Sequence, residues 1–304
     1  MFIETPLLES RALSERLGKS IWLKMEAMQP TGSFKARGIS HACAVYKERG
    51  AKRFVSSSGG NAGLAVAYAG RKLGVPVLVV VPETTSERAK HLIGMESAEV
   101  VVHGKSWDEA NRFALASCTS ADAFLHPFDD PLLWEGHATM IDEVARAGLT
   151  PDAVVLSVGG GGLLCGAVEG LRRNGWEDVP LIAVETEGAD SYARSLAAGE
   201  CVELEAITSI ATSLGARRVC AESLLLAQKR PITSVVVSDR QAVAGCIELL
   251  NEHRVVVEPA CGASVAALDS DVEPLRAARN ILLIVCGGVG TNVDQLKRWS
   301  ADAG

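Results

Sequence analysis

The feature that most constrains the fold is a set of short, wholly apolar segments that alternate along the chain with amphipathic ones. Residues 77–81 read Val-Leu-Val-Val-Val, with no polar residue at alternate positions. Such a run is typical of a strand buried on both faces of a parallel sheet. Strands are predicted at 54–57, 77–81, 99–102, 153–158, 181–184, 234–237 and 281–286. Helices are predicted between them at 62–73, 107–117, 132–147, 163–174 and 240–253. This alternation predicts an α/β fold with helices on both sides of its sheets.

Composition limits the classes of function. The chain has 304 residues and a formal net charge of −7, which argues against binding to the phosphates of nucleic acids or to anionic membranes. With 48% hydrophobic residues it can bury a large core, yet no apolar run reaches the ~18 residues that span a bilayer. The first residues, MFIETP, lack the basic and apolar regions of a signal peptide. We therefore expect a cytoplasmic protein with a small-molecule substrate and no nucleic-acid or membrane partner.

The spacing of cysteine and histidine does not indicate a metal or redox centre. Eight cysteines are scattered singly without a C-x-x-C pair, and the six histidines include no H-E-x-x-H. In a reducing compartment most of these cysteines are expected to be small, buried, apolar residues.

Three glycine-rich turns each follow a predicted strand. They have the sequences SSSGGNAG at 56–63, SVGGGGL at 157–163 and VCGGVGTN at 285–292. Ligands of open α/β sheets bind beyond the carboxyl ends of the strands, where all three turns are expected. The four glycines at 159–162 precede a helix, so they offer several backbone N–H groups and a helix N-terminus to one anion. We interpret them as a phosphate site; the alternative is a turn at which strand and helix pack closely.

Motif spacing narrows the phosphate to a monophosphate. A dinucleotide site needs glycines at relative positions one, three and six, but Leu164, Cys165 and Val293 occupy the sixth places. The glycine runs also contain no lysine, so there is no G-x-x-x-x-G-K-[ST] motif for a nucleoside triphosphate. A monophosphate cofactor is therefore favoured.

A single lysine lies where an early strand leads into a helix. The strand is predicted at 21–25; a proline and a glycine interrupt the chain, Ser33 can cap the helix, and the helix spans about 34–46. Lys35 is then in the first turn, where the helix dipole and unpaired N–H groups disfavour a cation. Its neutral amine is easier to reach, as Schiff-base chemistry requires. The alternative is an ordinary solvated lysine on the surface.

Lysine and monophosphate together point to pyridoxal 5′-phosphate, and the motifs resemble those of the serine/threonine dehydratases. The resemblance is carried by SFK at 33–35, SSGGNAG at 57–63, the glycines at 159–162 and VCGG at 285–288, in that order. It extends through PFDDP at 127–131, WEGH at 134–137 and VEPACG at 257–262, and so covers essentially the whole chain. The chain looks most similar to the short L-serine dehydratases of fold type II, the β-family of pyridoxal-phosphate enzymes.

The resemblance implies a tryptophan synthase β-like fold, with two open, twisted, mostly parallel sheets and flanking helices. The large, cofactor-binding domain is expected at 1–28 and 134–304, and the small domain at 29–133. A homodimer is also implied. Because the chain ends shortly after the third glycine turn, the resemblance is to the catabolic form without a C-terminal regulatory domain.

The resemblance also implies roles for individual residues. Lys35 would hold the cofactor as a Schiff base and act as the catalytic base at Cα. The other expected cofactor contacts are Phe34 and Ser213 on the two faces of the ring, Asn61 at the ring hydroxyl, Cys286 and the adjoining Gly287 at the ring nitrogen, and Gly159, Gly160, Gly161, Gly162 and Leu163 at the phosphate. The substrate carboxylate is expected at Ser58, Gly59, Asn61 and Ala62. For Ser58 the alternative is ordinary turn chemistry, and for Cys286 it is a buried structural cysteine.

The implied reaction is elimination of water from L-serine or L-threonine, which gives pyruvate or 2-oxobutyrate and ammonia. A thiol of pKa ~8.5 at Cys286 is a weak partner for the ring nitrogen, so the nitrogen is expected to be unprotonated, which favours elimination over transamination. Similar serine racemases carry a serine at the position of Gly59, whereas glycine has no proton to donate. We therefore expect elimination without appreciable racemisation. Some serine dehydratases have alanine here, so the relative rates with serine and threonine stay open.

The resemblance further implies a monovalent-cation site, with potassium as the ion. Its expected ligands are the carboxylate of Glu185 and the carbonyls of Gly159, Ala189, Leu214 and Ala216. A glutamate hydrogen-bonded in a turn is the alternative. Two other functions also stay open: a β-replacement enzyme such as a cysteine synthase, which needs a second nucleophile, and a non-catalytic protein that binds an amino acid or a nucleotide.

Overall fold

The computed structural model describes residues 1–302 of the chain. The strands are β1 (Leu7–Glu9), β2 (Ser20–Lys24), β3 (Arg53–Ser56), β4 (Val77–Val81), β5 (Glu99–Val102), β6 (Asp122–Phe124), β7 (Ala153–Ser157), β8 (Leu181–Thr186), β9 (Ile232–Val237) and β10 (Asn280–Ile284). The α-helices are α1 (Arg11–Leu17), α2 (Lys35–Glu48), α3 (Asn61–Leu73), α4 (Glu87–Met95), α5 (Trp107–Ala116), α6 (Pro131–Arg146), α7 (Gly162–Arg173), α8 (Ser191–Ala198), α9 (Ala221–Ala227), α10 (Asp239–His253), α11 (Pro259–Ala266), α12 (Glu273–Ala277) and α13 (Val293–Asp302). Single 3-10 turns lie at Glu26–Met28, Thr212–Leu214 and Ala267–Asp269. Within residues 1–302, none of the helices combines the length and the hydropathy needed to span a bilayer.

The larger sheet has six strands in the order β1-β2-β10-β7-β8-β9. Its pairs are parallel, except that the edge strand β1 runs antiparallel to β2, with Leu8 opposite Leu23. Strands β10 and β7 are neighbours, with Leu283 opposite Val155. Because parallel neighbours end at the same edge of a sheet, the glycine turns that follow β7 and β10 lie side by side.

The smaller sheet has four parallel strands in the order β5-β4-β3-β6. Every residue of β4 is buried, as expected for a central strand covered by helices on both faces. The remaining glycine-rich turn follows β3 and leads into α3, which begins at Asn61. Each sheet has its own hydrophobic core, and the two cores are formed by separate sets of buried side chains.

The predicted α/β fold with two open, mostly parallel sheets is confirmed. The strands predicted at 77–81 and 99–102 coincide with β4 and β5, and the other predicted strands and helices begin and end within two residues of those observed. The smaller sheet comes from residues 53–124 and the larger one from 7–24 and 153–284. The domain boundaries expected near 28 and 133 stay a prediction.

The expectation that Ser33 caps α2 is wrong. The cap position is Phe34, and no side chain within residues 1–302 caps the helix. Ser33 instead forms an antiparallel bridge with Gly287, which draws its backbone toward the turn after β10. The Ser33 hydroxyl is buried and has no hydrogen-bond partner in the described part of the chain.

A buried cluster of charged residues fixes the start of α2. Arg37, two residues after Lys35, is completely buried, and its guanidinium donates to Glu26 at 2.7 Å and to Glu143 of α6 at 2.6 Å. Lys24 of β2 also donates to Glu143. Burial opposes ionisation of Glu143, but the hydrogen bonds from Arg37 and Lys24 hold its pKa below the usual range. The first turn of α2 is therefore tied to the larger sheet and to α6.

Candidate active site

Lys35 is the first residue of α2, and its amine points into the protein. Nζ donates to the carbonyl oxygen of Pro127 at 2.6 Å and lies 4.9 Å from the centre of the Phe34 ring. Burial lowers the pKa of Lys35 from 10.5 to about 8, although the nearby thiols of Cys286 and Cys220 oppose the shift. Lys35 is therefore not an ordinary solvated lysine, and its amine is partly neutral near physiological pH.

The glycine turn after β7 has the features of an anion site. Helix α7 begins at Gly162, and Gly161 precedes it with a φ of +94°, in the left-handed region that favours glycine. Within residues 1–302, the backbone N–H groups of residues 160–163 donate to no protein acceptor, as expected at an open helix N-terminus. Several donors are thus free to bind one anionic group.

Close packing also requires glycine in this turn. A Cβ built on Gly160 would lie 2.2 Å from the ring of Phe128, and one built on Gly162 would lie 2.8 Å from the carbonyl oxygen of Phe128. At Gly161 an added Cβ would lie 2.8 Å from Ser223. The two interpretations of the glycines are therefore compatible, because the turn is both closely packed and rich in free N–H groups.

The lysine and the glycine turn share neighbours. Pro127, which accepts from Lys35, adjoins Phe128, whose ring packs against Gly160. Cys220 donates its backbone N–H to the carbonyl of Gly160 at 3.0 Å, and its thiol is close enough to influence the pKa of Lys35. The two features that the sequence predicted separately thus belong to one site.

The turn after β10 contributes Cys286 and Gly287. The backbone N–H of Phe34 donates to the carbonyl of Cys286 at 3.1 Å, and the Cys286 thiol lies 3.4 Å from the hydroxyl of Ser157. The neighbouring Cys261 and Cys286 thiols influence each other, so that the pKa of Cys261 is raised and that of Cys286 is lowered. Gly287 has a φ of +86°. This turn therefore lies directly beside the start of α2.

The turn after β3 contacts the turn after β10. Asn61 donates from Nδ2 to Glu258 at 3.0 Å and accepts at Oδ1 from the N–H of Val289 at 3.1 Å. The hydroxyl of Ser58 accepts from the N–H of Gly60 at 3.3 Å, which is ordinary turn chemistry. Asn61 is therefore joined to the turn after β10, whereas Ser58 bonds within its own turn.

Gly59 and Ala62 complete the substrate residues expected from the sequence. Ala62 is buried in the first turn of α3. A Cβ built on Gly59 would lie 2.7 Å from both Oγ1 and Cγ2 of Thr85, so Thr85 fills the space that a side chain at position 59 would take.

Ser213 lies in the 3-10 turn Thr212–Leu214, and its carbonyl oxygen would be 3.0 Å from a Cβ built on Gly159. Its hydroxyl is close enough to Glu258 to offset part of the rise that burial causes in the pKa of that carboxyl group. Leu163, the remaining expected phosphate contact, is buried in the first turn of α7. The expected cofactor residues thus come from the ends of β3, β7 and β10, the start of α2 and the 3-10 turn that carries Ser213.

Glu258 lies within the motif VEPACG at 257–262, but the sequence assigns this residue no role. It precedes α11 and is buried, with its carboxylate held by Asn61 and by the N–H of Gly290 at 2.7 Å. Burial raises the pKa of Glu258, and hydrogen bonds from Ser213, Gly290 and Asn61 offset part of that shift. An acidic residue inside the apolar stretch Val-Val-Val-Glu-Pro-Ala was the available signal.

His137 is a second residue that the sequence left without a role. Its Nδ1 accepts from the N–H of Gly38 at 3.2 Å, and its ring centre is 4.9 Å from that of Phe34. Burial lowers the pKa of His137 well below the usual range, so the ring is neutral. The ring supports Phe34 and the first turn of α2.

Pro127 contributes to the site only through its backbone carbonyl, which accepts from Lys35. Every residue type has this group, so the sequence could not have indicated it.

The expected cation ligands gather near the N-terminus of α8. The Glu185 carboxylate accepts from the N–H groups of Tyr192 at 2.8 Å and Ala193 at 2.7 Å. Burial raises the pKa of Glu185 to about 8, and these two hydrogen bonds offset the shift only in part. Ala189 forms a bridge with Thr186. Hydrogen bonds therefore explain much of the geometry at Glu185.

The three carbonyl ligands expected from other segments lie nearby. The carbonyl of Ala216 accepts from Ser191, and Leu214 packs against Gly159. Within residues 1–302 there is no group of three or more His, Cys, Asp or Glu side chains that could hold a metal ion. Any cation here would therefore rely on backbone carbonyls and one carboxylate.

Comparison with known proteins identifies close relatives. A family model described as "Pyridoxal-phosphate dependent enzyme" matches residues 2–287. An L-serine dehydratase/L-threonine deaminase of Homo sapiens is 45% identical over 315 residues, covering 100% of this chain and 96% of that protein. The crystal structure of a fungal L-serine ammonia-lyase from Rhizomucor miehei matches with a TM-score of 0.92 at 32% identity, covering 100% of this chain and 99% of that one. A serine racemase from Dictyostelium discoideum matches with a TM-score of 0.85 at 26% identity, covering 96% and 94%.

Proposed function

The chain belongs to the family of pyridoxal-phosphate dependent enzymes, and from that membership we propose that it removes water from L-serine and L-threonine. The products are pyruvate or 2-oxobutyrate, together with ammonia. The observation that carries the proposal is the half-buried Lys35, whose amine has a lowered pKa and lies beside the glycine turn. The names L-serine dehydratase/L-threonine deaminase and L-serine ammonia-lyase, which belong to its relatives, describe this reaction.

The residues present fit pyridoxal phosphate. The cofactor has one phosphate, one aldehyde and an oxygen-bearing pyridine ring, and the site has matching groups for each. Free N–H groups at residues 160–163 suit the phosphate, and the buried amine of Lys35 suits the aldehyde. The amide of Asn61 suits the ring oxygen. When bound, the cofactor forms a covalent bond with amines and withdraws electrons from the Cα–H bond of the substrate.

The chain's own residues then bind, orient and move a proton. Nζ of Lys35 holds the cofactor before substrate arrives and afterwards accepts the Cα proton of the substrate. Phe34 and Ser213 would flank the ring, Asn61 would donate to its oxygen, and the turn at 58–62 would receive the substrate carboxylate. His137 keeps Phe34 in place through their ring contact.

Cys286 faces the ring nitrogen in this proposal. A thiol there leaves the nitrogen unprotonated only if the pKa of the thiol is above that of the nitrogen. The neighbouring Cys261 thiol lowers the pKa of Cys286, which opposes that condition. The choice of elimination over transamination therefore rests on the relatives rather than on Cys286.

Gly59 favours elimination over racemisation. A racemase needs a proton donor on the face of the substrate opposite the lysine, and glycine offers none. Chiral analysis of L-serine incubations should find pyruvate without D-serine. D-serine that accumulates as fast as pyruvate would contradict this part of the proposal.

Lys35→Ala tests the reaction. The variant should lose the visible absorbance of the bound cofactor and the formation of pyruvate and 2-oxobutyrate, because its side chain carries no amine. Lys47→Ala is a matched control, since Lys47 lies at the exposed end of the same helix. Lys35→Ala protein that folds and retains the turnover of the Lys47→Ala control would rule the proposal out.

A potassium ion at Glu185 is a further part of the proposal. The Glu185 carboxylate is completely buried, its pKa is raised, and it forms no ion pair within residues 1–302; Arg194 only partly offsets the shift, and a monovalent cation would supply the missing positive charge. Activity should fall when potassium is replaced by a bulky organic cation at constant ionic strength. An unchanged rate would argue against an essential ion.

Assembly and domain division are proposed on the resemblance alone. We propose a cytoplasmic homodimer in which each subunit has a large domain, 1–28 and 134–304, and a small domain, 29–133. Light scattering of the purified holoenzyme would measure the mass. A single-subunit mass at working concentration would exclude the dimer.

A further inference from the structure

The Glu258 carboxylate connects two glycine turns that belong to different sheets. Oε2 accepts from Nδ2 of Asn61 at 3.0 Å, at the start of α3 beside the smaller sheet. Oε1 accepts from the N–H of Gly290 at 2.7 Å, in the turn after β10 of the larger sheet. A Cβ built on Gly288 would lie 2.1 Å from the Glu258 carboxyl carbon, so the turn after β10 wraps closely around this group.

These contacts define which way the Asn61 amide points. The N–H of Val289 can only donate, so the atom of Asn61 that faces it must be the oxygen. The amide nitrogen then faces Glu258, whose carboxylate can only accept when ionised. One N–H of Nδ2 is thereby committed to Glu258. The second N–H has no acceptor among residues 1–302.

We propose that Glu258 is a positioning residue that sets the polarity of the Asn61 amide, so that Asn61 presents an N–H donor to an anionic oxygen on the cofactor ring. The proposal rests on the cofactor contact assigned to Asn61 in the proposed function. Glu258 acts through Asn61 and has no contact of its own with the reacting atoms. The Glu258 carboxylate must be ionised, because it then only accepts hydrogen bonds. A group that donated a hydrogen bond toward Asn61 would favour the flipped amide, with its oxygen facing position 258.

Glu258→Gln tests the polarity with almost no change in shape. Gly290 N–H still needs an acceptor, so the glutamine oxygen takes that position and its NH₂ group faces Asn61. Two NH₂ groups then meet, or the Asn61 amide flips and places its nitrogen against the N–H of Val289. Either arrangement leaves a buried donor unsatisfied. We expect the affinity of the full chain for pyridoxal phosphate, measured by absorbance titration, to fall about tenfold to hundredfold.

The double variant Glu258→Gln with Asn61→Asp distinguishes two effects of Glu258. One is the orientation of the donor at position 61, and the other is the contribution of these hydrogen bonds to stability. The new glutamine would donate to one oxygen of the new aspartate, and the other aspartate oxygen would accept from Val289. The hydrogen bonds that join positions 61, 258, 289 and 290 are thus restored with the same total charge. Only the group that faces the ring oxygen changes, from a donor to an acceptor. The unfolding midpoint of the cofactor-free chain should return toward that of the wild type, whereas cofactor affinity should stay low.

Each outcome decides the proposal. Glu252→Gln, on the exposed end of α10, is the control for loss of one carboxylate and should leave affinity unchanged. Unchanged affinity in Glu258→Gln would overturn the proposal, as would a double variant that recovers both stability and affinity. If Glu258→Gln does not fold, the double variant alone decides. The titration requires no substrate, so a wild-type chain that binds the cofactor but does not turn over L-serine refutes the proposed reaction and leaves this inference intact.

Discussion

The lowered pKa of Lys35 makes a quantitative prediction about how the cofactor-free protein recombines with pyridoxal phosphate. Bond formation with an aldehyde requires the neutral amine. Burial lowers the pKa of this amine from 10.5 to about 8. At pH 7.5 about a quarter of Lys35 is then neutral, against about a thousandth for an ordinary lysine, which is a difference on the order of a hundredfold in reactive amine.

The sign of the pH dependence follows from the same shift. The neutral fraction of Lys35 rises as pH rises through its pKa and is nearly complete about one unit above it. The rate of recombination, followed by the growth of visible absorbance after rapid mixing, should therefore increase with pH and level off about one unit above the Lys35 pKa of about 8. A small lysine derivative with a free side-chain amine, mixed with the cofactor under the same conditions, corrects for the titration of the cofactor itself.

Two variants frame the measurement. Lys47→Ala should give the wild-type profile, and Lys35→Ala should give only the slow background of surface amines. A wild-type rate that parallels the lysine derivative and continues to rise toward pH 10 would mean that the Lys35 amine is solvated. The physical basis of the site, a partly desolvated amine in the first turn of α2, would then be wrong.

Two further predictions concern packing and charge around the site. Arg37→Met removes the guanidinium that bridges two buried carboxylates and should lower the free energy of unfolding by about 3–5 kcal/mol, whereas Arg16→Met at an exposed pair should cost about 0–1 kcal/mol. Because the pKa of Glu143 is lowered, its stabilisation is complete above its ordinary pKa of 4.5 and is lost as pH falls, so the Arg37→Met deficit measured by urea unfolding should shrink in acid. Gly59→Ala places a methyl group 2.7 Å from Thr85 and should raise KM for L-serine about tenfold while the cofactor absorbance stays unchanged. Thr85→Ala in the same chain should restore KM; if it does not, the space between these two residues does not govern substrate binding.

The sequence predicted strands accurately where burial on both faces of the sheet requires a continuous run of apolar residues. All five residues of β4 are apolar and buried. A continuous apolar run of this length is typical of a strand covered on both faces, so the prediction at 77–81 was correct. The short edge strands β1 and β6 were not predicted. Three residues are too few to show a periodic pattern, and each of these strands is defined only by its pairing with another strand. Ser33 had the side chain of a good helix cap, but its bridge with Gly287 overrode that local preference. Contacts between segments far apart in sequence account for each of these differences.

The same distinction separates the parts of the site that motifs could reveal from those they could not. Lys35 and the glycines at 159–162 are visible in sequence because their chemistry requires particular residue types at one place in the chain. Pro127 contributes only a carbonyl, and Glu258 acts only because two turns from different sheets meet at its carboxylate. Each sequence motif describes one glycine turn by itself. The orientation of the Asn61 amide is set by Val289 and Glu258, which are more than 190 residues away in the chain. The donor that Asn61 offers is therefore a property of the packed sheets, and it exists only when both turns are in place.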